Sequence, residues 1–366
     1  MTVRVLVVDD SVVVRRLVTQ ALAADPAIEV VGVAANGRLA LAKVEQLAPD
    51  LVTMDIEMPE LDGISAVRAL RAKGHRMPVV MFSTLTERGA AATLEALGAG
   101  ATDYVAKPTG TGSVQESLAR VAAELVPKIH ALVPSRRAVL RPRSAADGAA
   151  EQPSTRPSGR GPVRLRPEAP RPTPVRLLVV GSSTGGPAAL SDLVASLSAP
   201  PPVPVAVVQH MPAVFTRQLA DRLDRLGPAT VVEATDGLAL EAGHVYVAPG
   251  GRHLTVAAEI TGLRARITDT PPVNYSRPSV DVLFRSAVTA LGGAVGAVVL
   301  TGMGSDGAAG SGAVADAGGT VLVQDEQTSV VWGMPGATAT AGHAHAVLPL
   351  QEIAGAVERL LAEGRR

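Results

Sequence analysis

The chain has 366 residues, and its 34 lysines and arginines balance its 34 aspartates and glutamates. This balance argues against a general affinity for nucleic acid or anionic membranes. The absence of cysteine excludes disulfides, thiol catalysis and cysteine-ligated zinc. The first residues lack the pattern of a signal peptide, and no apolar run approaches the roughly 18 residues of a membrane span. We therefore expect a cytoplasmic protein that is not inserted in a membrane.

Apolar runs alternate with amphipathic stretches over residues 1–125. Valine-rich runs flanked by helical patterns are typical of buried parallel strands, and their alternation predicts a (βα)5 domain with a parallel sheet. The predicted strands are Val3–Val8, Ile28–Ala34, Leu51–Asp55, Pro78–Ser83 and Asp103–Ala106. The predicted helices are Val12–Ala24, Gly37–Leu47, Gly63–Ala72 and Ala90–Leu97.

Polar side chains stand at the ends of these predicted strands. Asp9 and Asp10 end the first strand, and Asp55 ends the third. Ser83 ends the fourth strand, and Lys107 follows the fifth. Ligands bind at the carboxyl edge of such a sheet, and three carboxylates there predict a site for an oxygen-preferring cation such as Mg²⁺. A carboxylate neutralised in this way can attack a phosphoryl group, and we expect Lys107 and the Ser83 hydroxyl to hold the phosphoryl oxygens.

Taken singly, each of these residues also fits an ordinary structural role. An Asp-Asp pair after a strand is common before the first turn of a helix, and a Lys-Pro pair is common in loops. The coincidence of five such groups at the ends of predicted strands favours a functional site over five separate structural roles.

With these residues, positions 1–125 resemble the receiver domain of two-component response regulators. The resemblance implies that Asp55 accepts a phosphoryl group from a histidine kinase in the presence of Mg²⁺. It also implies that Ser83, Tyr104 and Lys107 are the switch residues, with Ser83 at the hydroxyl position and Tyr104 at the aromatic position. The metal ligands implied by the resemblance are Asp9, Asp10, Asp55 and the carbonyl group of Glu57.

The composition changes in the segment 126–174. From about Pro134 onward, arginine and proline are interleaved and large apolar residues are few. This composition predicts an extended, solvated linker. It favours a charged spacer, and a basic docking segment is the alternative interpretation.

A second domain is predicted over residues 175–366. It again alternates strand and helix patterns, which predicts a doubly wound, mostly parallel α/β hydrolase domain. The predicted strands are Arg176–Val180, Val203–Gln209, Val245–Ala248, Ala294–Thr301 and Thr320–Gln324. The predicted helices are Pro187–Leu197, Phe215–Leu226, Val280–Leu291 and Gly307–Ala317.

A glycine-rich motif, GSSTGG at 181–186, follows the first strand of this domain. A Gly-x-Ser-x-Gly pattern between a strand and a helix is typical of a nucleophilic serine. A glycine-rich loop before a helix also fits a phosphate cradle, although the motif lacks the P-loop lysine and the full dinucleotide fingerprint. Because Ser182 and Ser183 are adjacent, the pattern alone does not decide which serine is the nucleophile.

His210 ends the next strand and Asp306 follows a later one, so both are expected at the same sheet edge as Ser183. A histidine can accept the proton of a serine, and a carboxylate can orient the imidazole. The backbone N–H of Thr184, beside the serine and near a helix start, is a suitable oxyanion donor. The order Ser, His, Asp differs from that of the α/β-hydrolase fold and argues against membership of that fold.

Six segments, which include those of Ser183, His210 and Asp306, make residues 175–360 resemble the methylesterase domain of chemotaxis protein-glutamate methylesterases. They are GSSTGG, QHMP, VYVAPGG, RPSVDVLF, LTGMGSDGA and QDEQTSVVWGMPGA. The resemblance implies that Ser183 is the nucleophile, His210 the base and Asp306 the orienting acid. It adds the N–H of Met303 to that of Thr184 as an oxyanion donor.

The order of receiver, linker and hydrolase matches the whole architecture of that family. The resemblance implies hydrolysis of glutamate methyl esters on methyl-accepting chemotaxis receptors, deamidation of certain receptor glutamines, and no cofactor for the hydrolysis. It further implies that the unphosphorylated receiver inhibits the hydrolase. A DNA-binding regulator is disfavoured, because no helix-turn-helix pattern or basic recognition helix is visible.

Overall fold

The computed structural model describes residues 2–107, 113–133, 162–167 and 173–363. The chain divides into two compact units, Met1–Arg156 and Pro157–Arg366, and each is described by itself. Most of the segment predicted as a linker lies outside the described residues, so its extended conformation stays a prediction.

The first unit is a parallel sheet with intervening helices, as the sequence predicts. Its strands are β1 (Val3–Val8), β2 (Ile28–Ala34), β3 (Leu51–Asp55), β4 (Val79–Ser83) and β5 (Asp103–Ala106). Its helices are α1 (Val12–Ala23), α2 (Gly37–Leu47), α3 (Gly63–Ala72), α4 (Glu87–Gly98) and α5 (Val114–Leu132). The strand order is β2-β1-β3-β4-β5, and every pair is parallel. The predicted (βα)5 fold is thereby confirmed.

Side-chain caps fix where these helices begin. Each helix of the first unit follows a residue whose side chain accepts a hydrogen bond from a backbone N–H of the first turn, which satisfies one of the otherwise unpaired N–H groups. The caps are Ser11, Asn36, Asp62, Thr86 and Ser113. The cap at Thr86 explains why α4 begins at Glu87 and not at Ala90, where the apolar pattern placed it.

The last helix of this unit, α5, is not among the predicted elements. Ser113 and Glu116 form a capping box at its start. Leu125 and Ile129 are fully buried in the core, and the helix continues to Leu132. Residues 126–132, which the sequence assigned to the linker, therefore belong to this helix.

A short described part of the predicted linker, residues 162–167, contacts the second unit. The backbone N–H of Arg166 donates to the carbonyl of Ala344 at 2.7 Å, and its guanidinium lies 2.8 Å from the carboxylate of Asp316. At this point the segment is attached to the domain and is not fully solvated.

The second unit contains a seven-stranded sheet and a separate hairpin. The sheet strands are β6 (Leu177–Ser182), β7 (Val205–Gln209), β8 (Thr230–Glu233), β9 (His244–Val247), β12 (Val295–Val299), β13 (Thr320–Gln324) and β14 (Ala346–Leu348). The hairpin pairs β10 (His253–Glu259) with β11 (Gly262–Thr268), antiparallel. The helices are α6 (Gly186–Ala195), α7 (Ala213–Asp224), α8 (Val280–Leu291), α9 (Ala308–Asp316), α10 (Met334–Thr340) and α11 (Leu350–Glu363).

The strand order of the large sheet is β14-β13-β12-β6-β7-β9-β8, and all of its pairs are parallel. The predicted doubly wound α/β fold is confirmed. From β6, the chain first adds strands on one side of the sheet, beginning with β7, and later adds strands on the other side, beginning with β12. The direction of winding therefore reverses at β6. Such a switch point is where parallel sheets bind ligands. Among the described helices, none has the length and hydrophobicity that a membrane span requires.

Close packing at Gly181 brings α8 against β6. A Cβ atom at Gly181 would lie only 2.3 Å from a methyl carbon of Val280, the first residue of α8. The absence of a side chain there allows the start of α8 to reach the carboxyl end of β6. This packing is what brings the loops after β6 and β12 together with the first turn of α8.

We predict that Phe284→Ala strongly destabilises the second unit. Phe284 on α8 is fully buried in its apolar core, and truncation of such a residue lowers the free energy of unfolding by about 3–5 kcal/mol. Trp332 is the single tryptophan of the chain, so its fluorescence during urea unfolding reports on this unit. The exposed Ile260 offers the control Ile260→Ala, which should change the unfolding midpoint little. A similar midpoint for both variants would contradict the assigned core.

Candidate active site

The two adjacent serines after β6 have different surroundings. Ser182 is fully buried, and its hydroxyl donates to Oε1 of Gln209 at 2.7 Å. Ser183 is half-buried just beyond the strand, and its backbone carbonyl accepts from Nε2 of Gln209 at 2.9 Å. Of the two hydroxyls, only that of Ser183 is open to an approaching molecule.

Two glycines allow the tight turn from Ser183 into α6. Gly185 has φ = 77°, a conformation that favours glycine. A Cβ atom at Gly186 would lie 2.0 Å from Oε1 of Gln209. The N–H of Gly186 donates to the carbonyl of Ser183 at 2.7 Å, which closes the turn. These two glycines of the GSSTGG motif are therefore explained by the geometry of the turn, without a bound phosphate.

His210 and Asp306 are in direct contact. Nε2 of His210 lies 2.8 Å from Oδ2 of Asp306, and both side chains are largely shielded from solvent. The backbone N–H of His210 donates to the carbonyl of Ser182 at 3.2 Å, which joins the end of β7 to the end of β6. Among the described residues, the Ser183 hydroxyl makes no hydrogen bond. The structure thus pairs two of the three predicted catalytic side chains, His210 and Asp306. The hydroxyl of the third, Ser183, is not hydrogen-bonded to a described residue and lies at the adjoining strand end.

Asp306 is surrounded by hydrogen-bond donors. Its Oδ2 accepts from the N–H of Val280 at 2.7 Å in addition to facing His210. Its Oδ1 accepts from Asn274 Nδ2 (3.0 Å), Ser279 Oγ (2.8 Å), and the N–H groups of Asp281 (3.1 Å) and Gly307 (3.1 Å). Burial raises the pKa of Asp306, but hydrogen bonding and charge from His210, with the bonds from Asn274 and Val280, outweigh it and lower the pKa to about 2. The group is therefore an anion at neutral pH.

The segments that carry the two predicted oxyanion donors adjoin Ser183. Thr184 follows it directly, and the carbonyl of Thr184 is held by the Thr301 hydroxyl at 2.9 Å. The N–H of Ser183 donates to the carbonyl of Thr301 at 3.0 Å. A Cβ atom at Gly302 would lie 2.9 Å from the Cβ of Ser183, so this loop runs against the serine. The next residue, Met303, has a backbone N–H that makes no hydrogen bond to any described residue.

The first unit brings its predicted acidic residues together at the carboxyl edge of its sheet. Carboxylate oxygens of Asp9, Asp10 and Asp55 all lie within 4.8 Å of one another. The ammonium of Lys107 lies 2.8 Å from Oδ1 of Asp55 and 3.0 Å from Oδ2 of Asp9. The Asp9 oxygen is buried and, apart from this ion pair, has no hydrogen-bond partner among the described residues.

This cluster has unbalanced electrostatics. Burial is the largest cause that raises the pKa of Asp55, and repulsion by Asp9 adds to it, so that the value reaches about 6 despite the opposing effect of Lys107. Burial opposes the charge of Lys107, but its bonds and attraction to Asp55 and Asp9 raise its pKa. A further cation among these oxygens would relieve the repulsion between the carboxylates. The three-carboxylate donor set, with a buried Asp9 oxygen that has no described partner besides Lys107, fits a hard divalent ion such as Mg²⁺.

Ser83 and Lys107 line the same cavity as Asp10, Asp55 and Glu57. Ser83 is buried, and its hydroxyl accepts from Oγ1 of Thr93 at 2.6 Å while it donates to the carbonyl of Gly89 at 3.1 Å. Thr93 was not singled out from the sequence. Its contact becomes visible only when α4 is packed beside the end of β4.

Tyr104 lies within the first unit, away from solvent. Its ring is buried, and the ammonium of Lys128 lies 5.3 Å from the ring centroid. The same ammonium donates to Oδ2 of Asp103 at 2.7 Å and to the carbonyl of Tyr104 at 2.8 Å. Burial raises the pKa of the Tyr104 hydroxyl well above its usual value.

Comparison with known proteins matches each of the two units to a protein family. The response regulator receiver domain family matches residues 5–119, and the CheB methylesterase family matches residues 178–357. A protein-glutamate methylesterase/protein-glutamine glutaminase of Nocardioides sp. is 58% identical, over 99% of this chain and 96% of its own length. The chain belongs to this methylesterase family.

Other members of the methylesterase family support the assignment. A protein of Trichodesmium erythraeum with the same descriptive name is 42% identical, over 97% of this chain and 98% of its own. The crystal structure of the Thermotoga maritima CheB methylesterase catalytic domain is 40% identical with a TM-score of 0.50, and the match covers 51% of this chain and 98% of that one. The family resemblance predicted from the sequence motifs is confirmed.

Several side chains of this methylesterase site were not predicted from the sequence. The side chains of Asn274 and Ser279 donate to Asp306, as does the backbone N–H of Asp281, and the side chain of Gln209 links the two serines. The buried His253 accepts the N–H of Ser279 on Nδ1 at 3.1 Å, and its Nε2 lies 3.2 Å from the carbonyl of Pro271. His253 therefore holds the chain in place before α8 and is not part of the pair with Asp306.

We predict that Asp306→Asn reduces the acid sensitivity of the second unit. The folded-state pKa of Asp306 lies below its ordinary value of 3.8, so the carboxylate stabilises the fold above about pH 4, and this stabilisation is lost as the pH falls toward 2. The full contribution is about 2 kcal/mol, of which about 1 kcal/mol is lost between pH 5 and pH 3.

The measurement is urea unfolding at pH 5 and pH 3, followed by Trp332 fluorescence. The wild type should lose about 1 kcal/mol more than Asp306→Asn between the two pH values. Asp221→Asn, at an exposed position of α7, should behave as the wild type. Equal pH slopes for all three proteins would contradict the lowered pKa of Asp306.

Proposed function

We propose that this chain hydrolyses glutamate methyl esters on methyl-accepting chemotaxis receptors and releases methanol, and that it deamidates certain receptor glutamines to glutamate. The observation that carries the proposal is the accessible Ser183 beside the His210–Asp306 pair, at the switch point of the sheet. The names of the relatives and the match to the methylesterase family support the same reaction.

His210 is the proposed base. Because Nε2 of its ring faces the anionic carboxylate of Asp306, the Nε2 proton is held there and Nδ1 is left unprotonated to accept a proton. Asp306 also stabilises the positive charge that the ring gains. The Ser183 hydroxyl gives its proton to Nδ1 as its oxygen attacks the γ-carbonyl carbon of the substrate.

The negative charge that develops on the carbonyl oxygen is proposed to be held by the N–H groups of Thr184 and Met303. Collapse of the tetrahedral intermediate breaks the bond to the methoxy group, which leaves as methanol with the proton from His210. Water then attacks the acyl-enzyme with His210 again as base, and glutamate and free Ser183 result. With a glutamine substrate, the same steps release ammonia.

Asp55 is the proposed phosphoacceptor of the first unit. As a receiver domain, this unit takes its phosphoryl group from a kinase, which we propose to be a histidine kinase. Mg²⁺ would be held by Asp9, Asp10, Asp55 and the carbonyl of Glu57, and when bound it would neutralise negative charge at the site. Lys107 and Ser83 line the cavity and are proposed to contact the phosphoryl oxygens, while Tyr104 is the proposed aromatic switch residue.

We predict that Ser183→Ala lowers the rate of methanol release by roughly a thousandfold or more, since it removes the nucleophile. The assay is release of methanol from receptor carrying radiolabelled methyl esters. Ser182→Ala is the matched control, because it deletes the neighbouring buried hydroxyl and leaves Ser183 intact. Substantial activity in Ser183→Ala, or loss only in Ser182→Ala, would refute the assignment.

We predict that an acyl phosphate with Mg²⁺ accelerates methanol release by the wild type and leaves Asp55→Asn at its basal rate, because the amide cannot form an acyl phosphate. The change at a distant exposed carboxylate, Glu29→Gln, should leave the acceleration intact. An equal response of wild type and Asp55→Asn would exclude Asp55 as the acceptor.

A further inference from the structure

We propose that Asn274 is a positioning residue of the esterase, whose side-chain amide holds Asp306 in the orientation that faces His210 by bridging it to a second buried carboxylate, Asp281. The proposal rests on the proposed function of Ser183, His210 and Asp306, since it concerns the same site. It assigns a role to a residue outside the three predicted catalytic side chains.

The bridge is made by one nitrogen atom. Nδ2 of Asn274 donates to Oδ1 of Asp306 at 3.0 Å and to Oδ2 of Asp281 at 2.8 Å. An amide NH₂ group carries two hydrogens, so each carboxylate receives one and the donor is fully used. Both carboxylates are buried, where a donor shared between them offsets part of their mutual repulsion.

The position of this bond decides what it can do. Oδ2 of Asp306 faces His210, and Oδ1 is on the other side of the same carboxylate. A carboxylate is planar, so a bond that fixes Oδ1 also fixes the direction of Oδ2. Ser279 and the backbone hold Oδ1 as well, but Asn274 is the described side chain that joins it to Asp281.

Asp281 extends the bridge to the loop that follows β12. Its Oδ1 accepts from the N–H of Gly307 at 3.0 Å and from that of Gly310 at 2.6 Å. Through Asp281, Asn274 is therefore joined to the loop and helix start that carry Asp306 itself. A change in the Asn274 amide would therefore alter the Asp306 carboxylate in two ways: through the direct hydrogen bond, and through Asp281 and the backbone of the loop that carries Asp306.

The conformation of Asn274 suits this role. It has φ = 51° and the next residue, Tyr275, has φ = 61°, and the turn is closed by reciprocal backbone bonds between Val273 and Ser276 at 3.1 and 2.9 Å. Two central residues with positive φ form a type I′ turn, in which asparagine and glycine are favoured. Glycine could keep this backbone but could not supply the amide, so the two contributions of Asn274 can be separated by substitution.

The test measures the nucleophilicity of Ser183 directly. A fluorophosphonate forms a P–O bond to the serine oxygen and loses fluoride from phosphorus, while the serine proton passes to His210. The second-order rate of this inactivation does not depend on the identity of the natural substrate. Methanol release gives kcat and KM in parallel, and Trp332 fluorescence in urea reports whether the unit is folded.

Asn274→Gly should lower both the inactivation rate and kcat by roughly ten- to a hundredfold, because the orientation of a catalytic group is lost, while KM stays within about twofold. Asn274→Asp keeps the size and the turn but replaces the donor with an acceptor, and it should be impaired at least as much. Tyr275→Gly, in the same turn but fully exposed, should retain the wild-type inactivation rate.

Inactivation of a folded Asn274→Gly at the wild-type rate would overturn the proposal. If that variant does not fold, a wild-type rate in Asn274→Asp would overturn it equally. An equal loss of rate in Tyr275→Gly would also overturn it, because the effect would then belong to the turn. Absence of methanol release by the wild type, with an inactivation rate that still depends on Asn274, would reject the proposed substrate and leave the positioning role standing.

Discussion

One buried negative charge, the carboxylate of Asp306, constrains the whole arrangement of the second unit's site. Burial of an unpaired charge is strongly unfavourable, so the fold must bring donors to it from separate segments. They come from the turn at Asn274, the start of α8, the loop after β12 and the ring of His210. The close approach of Val280 to Gly181 places this cluster at the end of β6, where Ser183 stands.

The two units treat their buried carboxylates in opposite ways. Asp306 has many donors and a histidine partner, and its pKa falls to about 2. Asp55 lies near Asp9 with fewer donors, and its pKa rises to about 6. The first arrangement holds a permanent anion that can orient a base. The second leaves negative charge incompletely compensated, which suits a site completed by a divalent cation and a phosphoryl group.

Much of the fold could be predicted from the sequence because buried parallel strands are long valine-rich runs. Helices α10 and α11 were also missed, and several of the missed elements carry weaker patterns. The strands β8 and β14 are short edge strands, and the hairpin of β10 and β11 has one partly exposed face. Helix α5 contains Pro127 in its interior, yet Leu125 and Ile129 are buried on both sides of it, so packing outweighs the unfavourable residue.

The strand-end rule placed Ser183, His210 and Asp306 at one edge, and likewise Asp9, Asp55 and Lys107, because parallel strands align their carboxyl ends. The choice between Ser182 and Ser183 depends on which hydroxyl is buried, and that is decided by Gln209 from another strand. Asn274 could not have been predicted, since it lies 32 residues from Asp306 along the chain and its role depends on an unusual turn. The catalytic roles themselves stay predictions.

The most direct test of a serine esterase centred on Ser183 is capture of the covalent intermediate. Rapid acid quench during turnover of a peptide containing a glutamate methyl ester, followed by digestion and mass spectrometry, reports which residue carries the acyl group. The account predicts an adduct on Ser183 with the mass of the peptide less methanol, absent when Asp306 is replaced by alanine. An adduct on Ser182, or methanol release without any adduct under conditions that trap acyl-enzymes, would contradict it.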